Sequence, residues 1–146
     1  MTQVRATTTI PRPIDEVYAV LTDVEQTGRW FPGDLEEHWT SPPPHGLGST
    51  RHAIVRMGGR RVENDAVVTV QEPPHRAGMR GTSPSAPFDA LLTFAEVPGG
   101  TRVDVVIDLR ARGATRLVMP LFAAWYGRQW TRGLANLQAL MASGEL

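Results

Sequence analysis

The chain of 146 residues contains no cysteine and no lysine. Without cysteine there is no disulfide, no thiolate nucleophile, no cysteine-ligated zinc and no iron–sulfur cluster. Without lysine there is no Schiff-base amine and no phosphate-loop lysine. An excess of charge of one sign is also missing, since fifteen acidic residues balance fifteen arginines. That balance argues against an electrostatic hold on nucleic acid or on an anionic membrane. No run approaches the ~18 apolar residues of a membrane span. The opening Met1-Thr2-Gln3-Val4-Arg5 lacks the apolar core of a secretion signal. These absences predict a soluble, cytoplasmic protein. A chain this long hides roughly 68–70% of its unfolded surface, so one domain over residues 1–146 is expected to stand without metal or cross-link.

What is present is punctuation and alternation. The fourteen glycines and twelve prolines include clusters at 42–44, 73–74 and 84/87, which read as turns between elements. Residues 3–10 alternate and are rich in threonine, predicting a first strand. Pro13 suits the first turn of a helix, Asp15 and Glu16 its positive end, and Ile14, Val17, Tyr18 and Leu21 recur at helical spacing. Asp23 is placed to cap a second short helix closed by Pro32-Gly33. Strands are predicted near 35–41, 48–57, 60–72, 75–82, 87–97 and 101–112, with Gly58-Gly59 and Gly99-Gly100 as hairpin turns.

Two-residue alternation sets Ala53, Val55 and Met57 against His52 and Arg56. It sets Ala66, Val68 and Val70 against Glu63, Asp65, Thr69 and Gln71, and Phe88, Ala90, Leu92 and Phe94 against Asp89 and Thr93. Val103, Val105, Ile107 and Leu109 oppose Asp104, Asp108 and Arg110. This is the pattern of antiparallel sheet with one dry face. Over 115–142, Met119, Phe122, Tyr126, Trp130, Leu134, Leu137 and Met141 step by three or four, predicting one helix about 40 Å long. Gly127 and Gly133 each cost such a helix about 1 kcal/mol relative to alanine, unless something approaches closely there.

One dry sheet face and one long apolar stripe predict an α+β domain. In it a curved antiparallel sheet of about seven strands wraps around the C-terminal helix, with two short helices after the first strand. The inward strand residues are mostly small, so a cavity is expected between sheet and helix. The predicted lining is Arg51, Val55, Asn64, Ala66, Val68, Phe88, Leu92 and Val105 from strands, and Met119, Phe122, Tyr126 and Gln129 from the helix. Tyr18, Asn64, Tyr126 and Gln129 are the hydrogen-bonding groups expected to meet a ligand oxygen. His38, His45, His52 and His75 read as surface residues, with His45 overhanging the mouth. No metal-ligand spacing and no G-x-S-x-G context occurs, so no metal, no cofactor and no serine nucleophile are predicted. Arg128 and Arg132 read as the solvated face of the last helix, with Leu121 and Trp125 near it as a modest partner-binding patch.

A set of segments, in order and spacing, carries a resemblance. They are Ile10-Pro11-Arg12-Pro13-Ile14-Asp15-Glu16-Val17, Leu21-Thr22-Asp23-Val24-Glu25, Arg29-Trp30-Phe31-Pro32-Gly33 and Gly46-Leu47-Gly48-Ser49-Thr50-Arg51. Val70-Gln71-Glu72-Pro73-Pro74-His75-Arg76, Pro98-Gly99-Gly100-Thr101-Arg102-Val103 and Leu134-Ala135-Asn136-Leu137 follow. Together they resemble the START-like (SRPBCC) superfamily, in its polyketide cyclase/dehydrase and lipid-transport branch. The resemblance implies the helix-grip fold over almost the whole chain, places Trp30 at the seam between helices and sheet, and puts residues 42–48 and 82–87 in loops at the cavity mouth. Family spacing turns Arg80 inward, where alternation turns Met79 inward. Members include cyclases, lipid carriers, hormone receptors and chaperone cofactors, so the fold alone does not choose a function. The family's aromatase/cyclases orient a poly-β-ketone with arginines and polar donors, whereas the inward positions here are mainly Ala, Val, Ile and Leu. Two readings stand. One is a carrier or sensor for a small lipid-, polyketide- or isoprenoid-like molecule. The other is a polyketide cyclase, aromatase or dehydratase that works without metal or redox cofactor by folding its substrate. The expected partner is that small hydrophobic ligand, with no nucleic acid and no integral membrane association, in a monomer or homodimer.

Overall fold

The nine residues Thr2–Ile10 form strand β1 in the computed structural model, which describes residues 2–33, 35–57, 59–84, 87–110 and 113–146. Pro11 and Pro13 end the strand, and helix α1 (Ile14–Thr22) starts with Asp15 and Glu16 in its first turn. Asp23 then caps a 3-10 helix, Val24–Arg29, by accepting from the Glu25 backbone N–H. Six strands follow: β2 (Glu36–Trp39), β3 (Thr50–Met57), β4 (Arg60–Glu72), β5 (Arg76–Gly81), β6 (Phe88–Val97) and β7 (Gly100–Leu109). Helix α2 (Thr115–Ser143) closes the chain and ends at Gly144, whose positive φ suits the left-handed cap.

The seven strands form one antiparallel sheet in the order β1-β7-β6-β5-β4-β3-β2. This is the helix-grip arrangement expected from the sequence. The β6–β7 hairpin turns through Gly99 and Gly100. A Cβ on Gly100 would meet the Ile10 carbonyl, so glycine lets this hairpin lie against the end of β1. Gly58 of the other predicted glycine turn lies outside the described residues, as do Arg112, at the end predicted for the last strand, and the side chain of Met57.

The core sits under the C-terminal half of α2. Leu134, Leu137 and Met141 pack with Val4, Ile10, Val103, Val105 and Ile107, nearly all solvent-free. Gly133 suits this close approach, because a Cβ would stand 3.3 Å from the Trp30 ring and 3.4 Å from Phe31, and the rings would have to give by a few tenths of an ångström. Gly127 is not so constrained, since its Cβ would make an ordinary 3.7 Å contact with Val4. Trp30 is buried at this seam, and its carbonyl accepts from Asn136 Nδ2.

A candidate ligand-binding cavity

Toward the N-terminal half of α2 the sheet and helix enclose a cavity of about 340 Å³, within the usual size of small-molecule sites. Cross-strand pairing sets its floor. Arg51 pairs Ala66, Ala53 pairs Asn64 and Val55 pairs Val62, so these residues share the concave face, while His52 and Asp65 pair on the outer one. Val68 pairs Met79, and Met79 pairs Ala90. Met79 therefore turns inward. Arg80 turns outward to Asp89 at 3.1 Å, which settles the two readings of that position in favour of strand alternation.

Phe122, Tyr126 and Trp130 of α2 form the roof. Phe122 stacks on Tyr126 with ring centroids 5.4 Å apart, and Phe31 meets Trp130 edge-on at 5.2 Å. These rings line the space without filling it. Burial pushes the Tyr126 hydroxyl pKa above its ordinary value, against the opposing pull of the Trp130 side chain and the Arg51 charge.

One corner is polar and centres on Arg51, which is buried. From β3 it reaches diagonally to both neighbouring strands. Its Nε lies 3.0 Å from Glu37 Oε2 on β2, and its Nη1 donates to Asn64 Oδ1 on β4. The Nε–H is not aimed well at an acceptor, so this contact is an ion pair without good hydrogen-bond geometry. The Phe88 ring stands 5.9 Å from the guanidinium carbon, a cation–π contact. That ring lies where a Cβ on Gly81 would be. Burial raises the Glu37 carboxyl above its ordinary pKa of 4.5, while Arg51 and then Thr27 pull it down. The buried indole N–H groups of Trp30 and Trp130, both on the cavity wall, find no acceptor among the described residues.

Nine of the twelve residues predicted to line the cavity do so: Arg51, Val55, Asn64, Val68, Phe88, Leu92, Met119, Phe122 and Tyr126. Ala66, Val105 and Gln129 do not. Ala66 points to the concave face but lies between Arg51 and Gly81 in register, where the Arg51 and Phe88 side chains cover it. Val105 belongs to the closed core. Gln129, half-buried and nearly in line with Phe122 on α2, does not border the cavity. The Tyr18 hydroxyl is already used, donating to the Arg76 carbonyl at 3.0 Å. Glu37 and Trp39 border the cavity and were not anticipated. Strand β2, Glu36-Glu37-His38-Trp39, has an acid in both phases, so alternation showed no dry face; the only signal was the arginine in need of a partner.

Residues 41–49 lead into β3, and residues 82–87 leave β5. Both leave the sheet at one level, since Thr50 at the start of β3 and Arg80 near the end of β5 pair the same residue, Val67 of β4. His45, stacked on Trp39 at 4.2 Å, borders the cavity from the first segment, and Ser83 and Pro87 from the second. Residues 85 and 86 lie outside the described residues. A bulge between Val68 and Val70 shifts the β4 register, and exposed Gln71, expected on the wet face, borders the cavity beside Gly46.

The family described as "Polyketide cyclase / dehydrase and lipid transport" matches residues 1–142. The chain belongs to that family. Uncharacterized protein Rv2574 of Mycobacterium tuberculosis (strain H37Rv) is 30% identical over 130 residues, covering 85% of this chain and 75% of its own. Mb2604 of Mycobacterium bovis matches to the same extent. Among solved structures, TTHA0849 of Thermus thermophilus superposes with a TM-score of 0.83 at 16% identity, over 99% of this chain and 100% of its own. DynU16, from the dynemicin biosynthetic locus, superposes with a TM-score of 0.70 at 21% identity, over 97% of this chain and 48% of its own. These likenesses establish the polyketide-cyclase-type helix-grip fold. Among the described residues no helix is long and apolar enough to cross a membrane, and no three His, Asp or Glu side chains cluster to hold a metal.

Proposed function

We propose that this family member binds one small hydrophobic molecule in the cavity between sheet and α2, as a carrier or sensor. The observation that carries the reading is the cavity itself: a mainly apolar space with a charged corner at Arg51 and Glu37. Aliphatic walls such as Val55, Val68 and Leu92 suit a ring or chain skeleton. Arg51 is the cationic donor on the cavity wall, so the ligand brings an acceptor oxygen to it. Arg51 already faces Glu37, so the corner suits a neutral oxygen, such as a ketone or ester, better than a free carboxylate.

The test is to fill the space. Ala90→Phe places a ring on the cavity floor and, by overpacking, costs about 1–3 kcal/mol of stability. A fluorescent apolar probe that binds the parent at one site per chain should bind this variant at least about tenfold more weakly, a loss of ~1.4 kcal/mol. Equal binding by a folded variant refutes the reading.

The cyclase or dehydratase alternative is favoured by one observation. Glu37 is a buried carboxyl with a raised pKa at the cavity wall, the condition of a proton-transfer group. Glu37→Gln separates the readings: an enzyme loses turnover of a bound poly-ketone, while a carrier keeps its probe affinity.

A further inference from the structure

A net charge of zero conceals an uneven distribution. Residues 109–144 carry five of the fifteen arginines and no acidic residue. On α2, Arg116, Arg128 and Arg132 are exposed, and none has an acidic partner among the described residues. The same helix holds Leu117, Val118 and Leu121, three of the four large apolar side chains left exposed among the described residues; Leu117 is 85% and Leu121 75% exposed.

These residues are arranged, not scattered. At about 100° per residue, Leu117, Leu121, Arg128 and Arg132 fall within about 60° of arc, along about 22 Å of helix. The stripe faces away from Leu134 and Leu137. Its apolar end lies in the turns whose inner side chains, Met119 and Phe122, line the cavity.

We propose that this stripe of α2 docks on an anionic lipid bilayer. Leu117 and Leu121 enter the acyl boundary. Arg128 and Arg132 extend their long stems along it and meet lipid phosphates, as on interfacial helices with one apolar and one basic sector. The charge is complementary, because nothing acidic on the helix opposes the lipid surface potential. An acidic protein would satisfy the arginines but offers no acyl layer for leucines projecting at the helix start. The inference rests on the carrier reading for its purpose, since docking brings the cavity end to a store of hydrophobic ligand. Its test does not depend on that reading.

The full chain is sedimented with vesicles of phosphatidylcholine alone and of phosphatidylcholine mixed with phosphatidylglycerol. Binding is expected to the mixed vesicles only, and to weaken with salt. Arg128→Gln with Arg132→Gln should lower the partition coefficient by on the order of tenfold. Leu117→Ser with Leu121→Ser should do so by on the order of tenfold or more. Both doubles replace exposed side chains, so their melting temperatures and apolar-probe affinities should match the parent's. Equal sedimentation with both vesicle types, sedimentation with neither, or binding indifferent to the leucine pair overturns the proposal. So does a concentration-dependent dimer that the leucine pair disperses, which assigns the stripe to a second copy. Vesicle binding without probe binding keeps the docking surface and removes the cavity reading; probe binding without vesicle binding does the reverse.

Discussion

The two halves of α2 offer the sheet the same apolar spacing and meet different surroundings. Leu134, Leu137 and Met141 close on β1 and β7 and are almost solvent-free, whereas Met119, Phe122 and Tyr126 face an unfilled cavity and keep partial exposure. The helix does not cause the difference. Opposite its C-terminal half stand Ile10, Val103 and Val105, with Trp30 wedged against Gly133. Opposite its N-terminal half the sheet shows short side chains such as Val55, Val68 and Ala90. Hydrophobic periodicity marks which face of a helix turns inward, and says nothing of whether the space there is full.

The open half is nevertheless not loose, and its polar corner is where the comparison breaks most readily. Arg51→Leu leaves Glu37 buried without its cation, and breaking such a pair costs about 3–5 kcal/mol. The loss has a pH signature. Burial already holds the folded Glu37 pKa above 4.5, so the folded state binds more protons than the unfolded one. Stability therefore falls as pH rises from that value through the raised one, and removing Arg51 steepens the fall. Replacing both Arg51 and Glu37 with leucine should cost much less than Arg51→Leu alone. Urea unfolding at several pH values reads all of this, and a mild, pH-independent Arg51→Leu effect would show that the pair is not desolvated.

The second measurement addresses the comparison directly. Leu137→Ala removes a fully buried side chain from the closed half and should cost about 2–5 kcal/mol. Phe122→Ala enlarges a space that is already open, so it should cost clearly less than the 3–5 kcal/mol of a packed phenylalanine, about 1 kcal/mol. Equal losses in thermal or urea unfolding would mean that the two halves are packed alike.

How much of this was legible in the sequence follows the same division. Alternation in Phe88-Asp89-Ala90-Leu91-Leu92 and in Val103-Asp104-Val105 fixed the dry face of β6 and β7, and the three-four stepping fixed α2. Each depends only on residues near in sequence. Glu37 was missed because its burial depends on Arg51 two positions off in the neighbouring strand, and register is a property of the folded sheet. Ala66, Val105 and Gln129 were placed on the cavity because inward-facing was equated with cavity-facing. Arg51 and Phe88 cover Ala66, and the closed core takes Val105.

The smallest effect is expected one residue from Arg51, on the other face of the same strand. His52 Nδ1 lies 2.7 Å from Asp65 Oδ1 on β4, a closer contact than the 3.0 Å between Arg51 and Glu37 but open to solvent. The Asp65 hydrogen bond raises the His52 pKa above its ordinary 6.5, so the folded state favours the imidazolium. A raised basic pKa contributes stability that is fully present below the unfolded value and fades as pH rises through the folded one. Since water and salt screen an exposed pair, His52→Ala should cost less than about 1 kcal/mol near pH 5. Well above the folded value the imidazole is neutral in both states, and the variant should match the parent near pH 9 apart from the roughly ±0.5 kcal/mol of any surface change. Thermal melts of parent and variant at the two pH values suffice. A loss at low pH as large as that of Arg51→Leu would mean that the outer face of β3 is as desolvated as the cavity wall, and that burial does not separate the two sides of this strand.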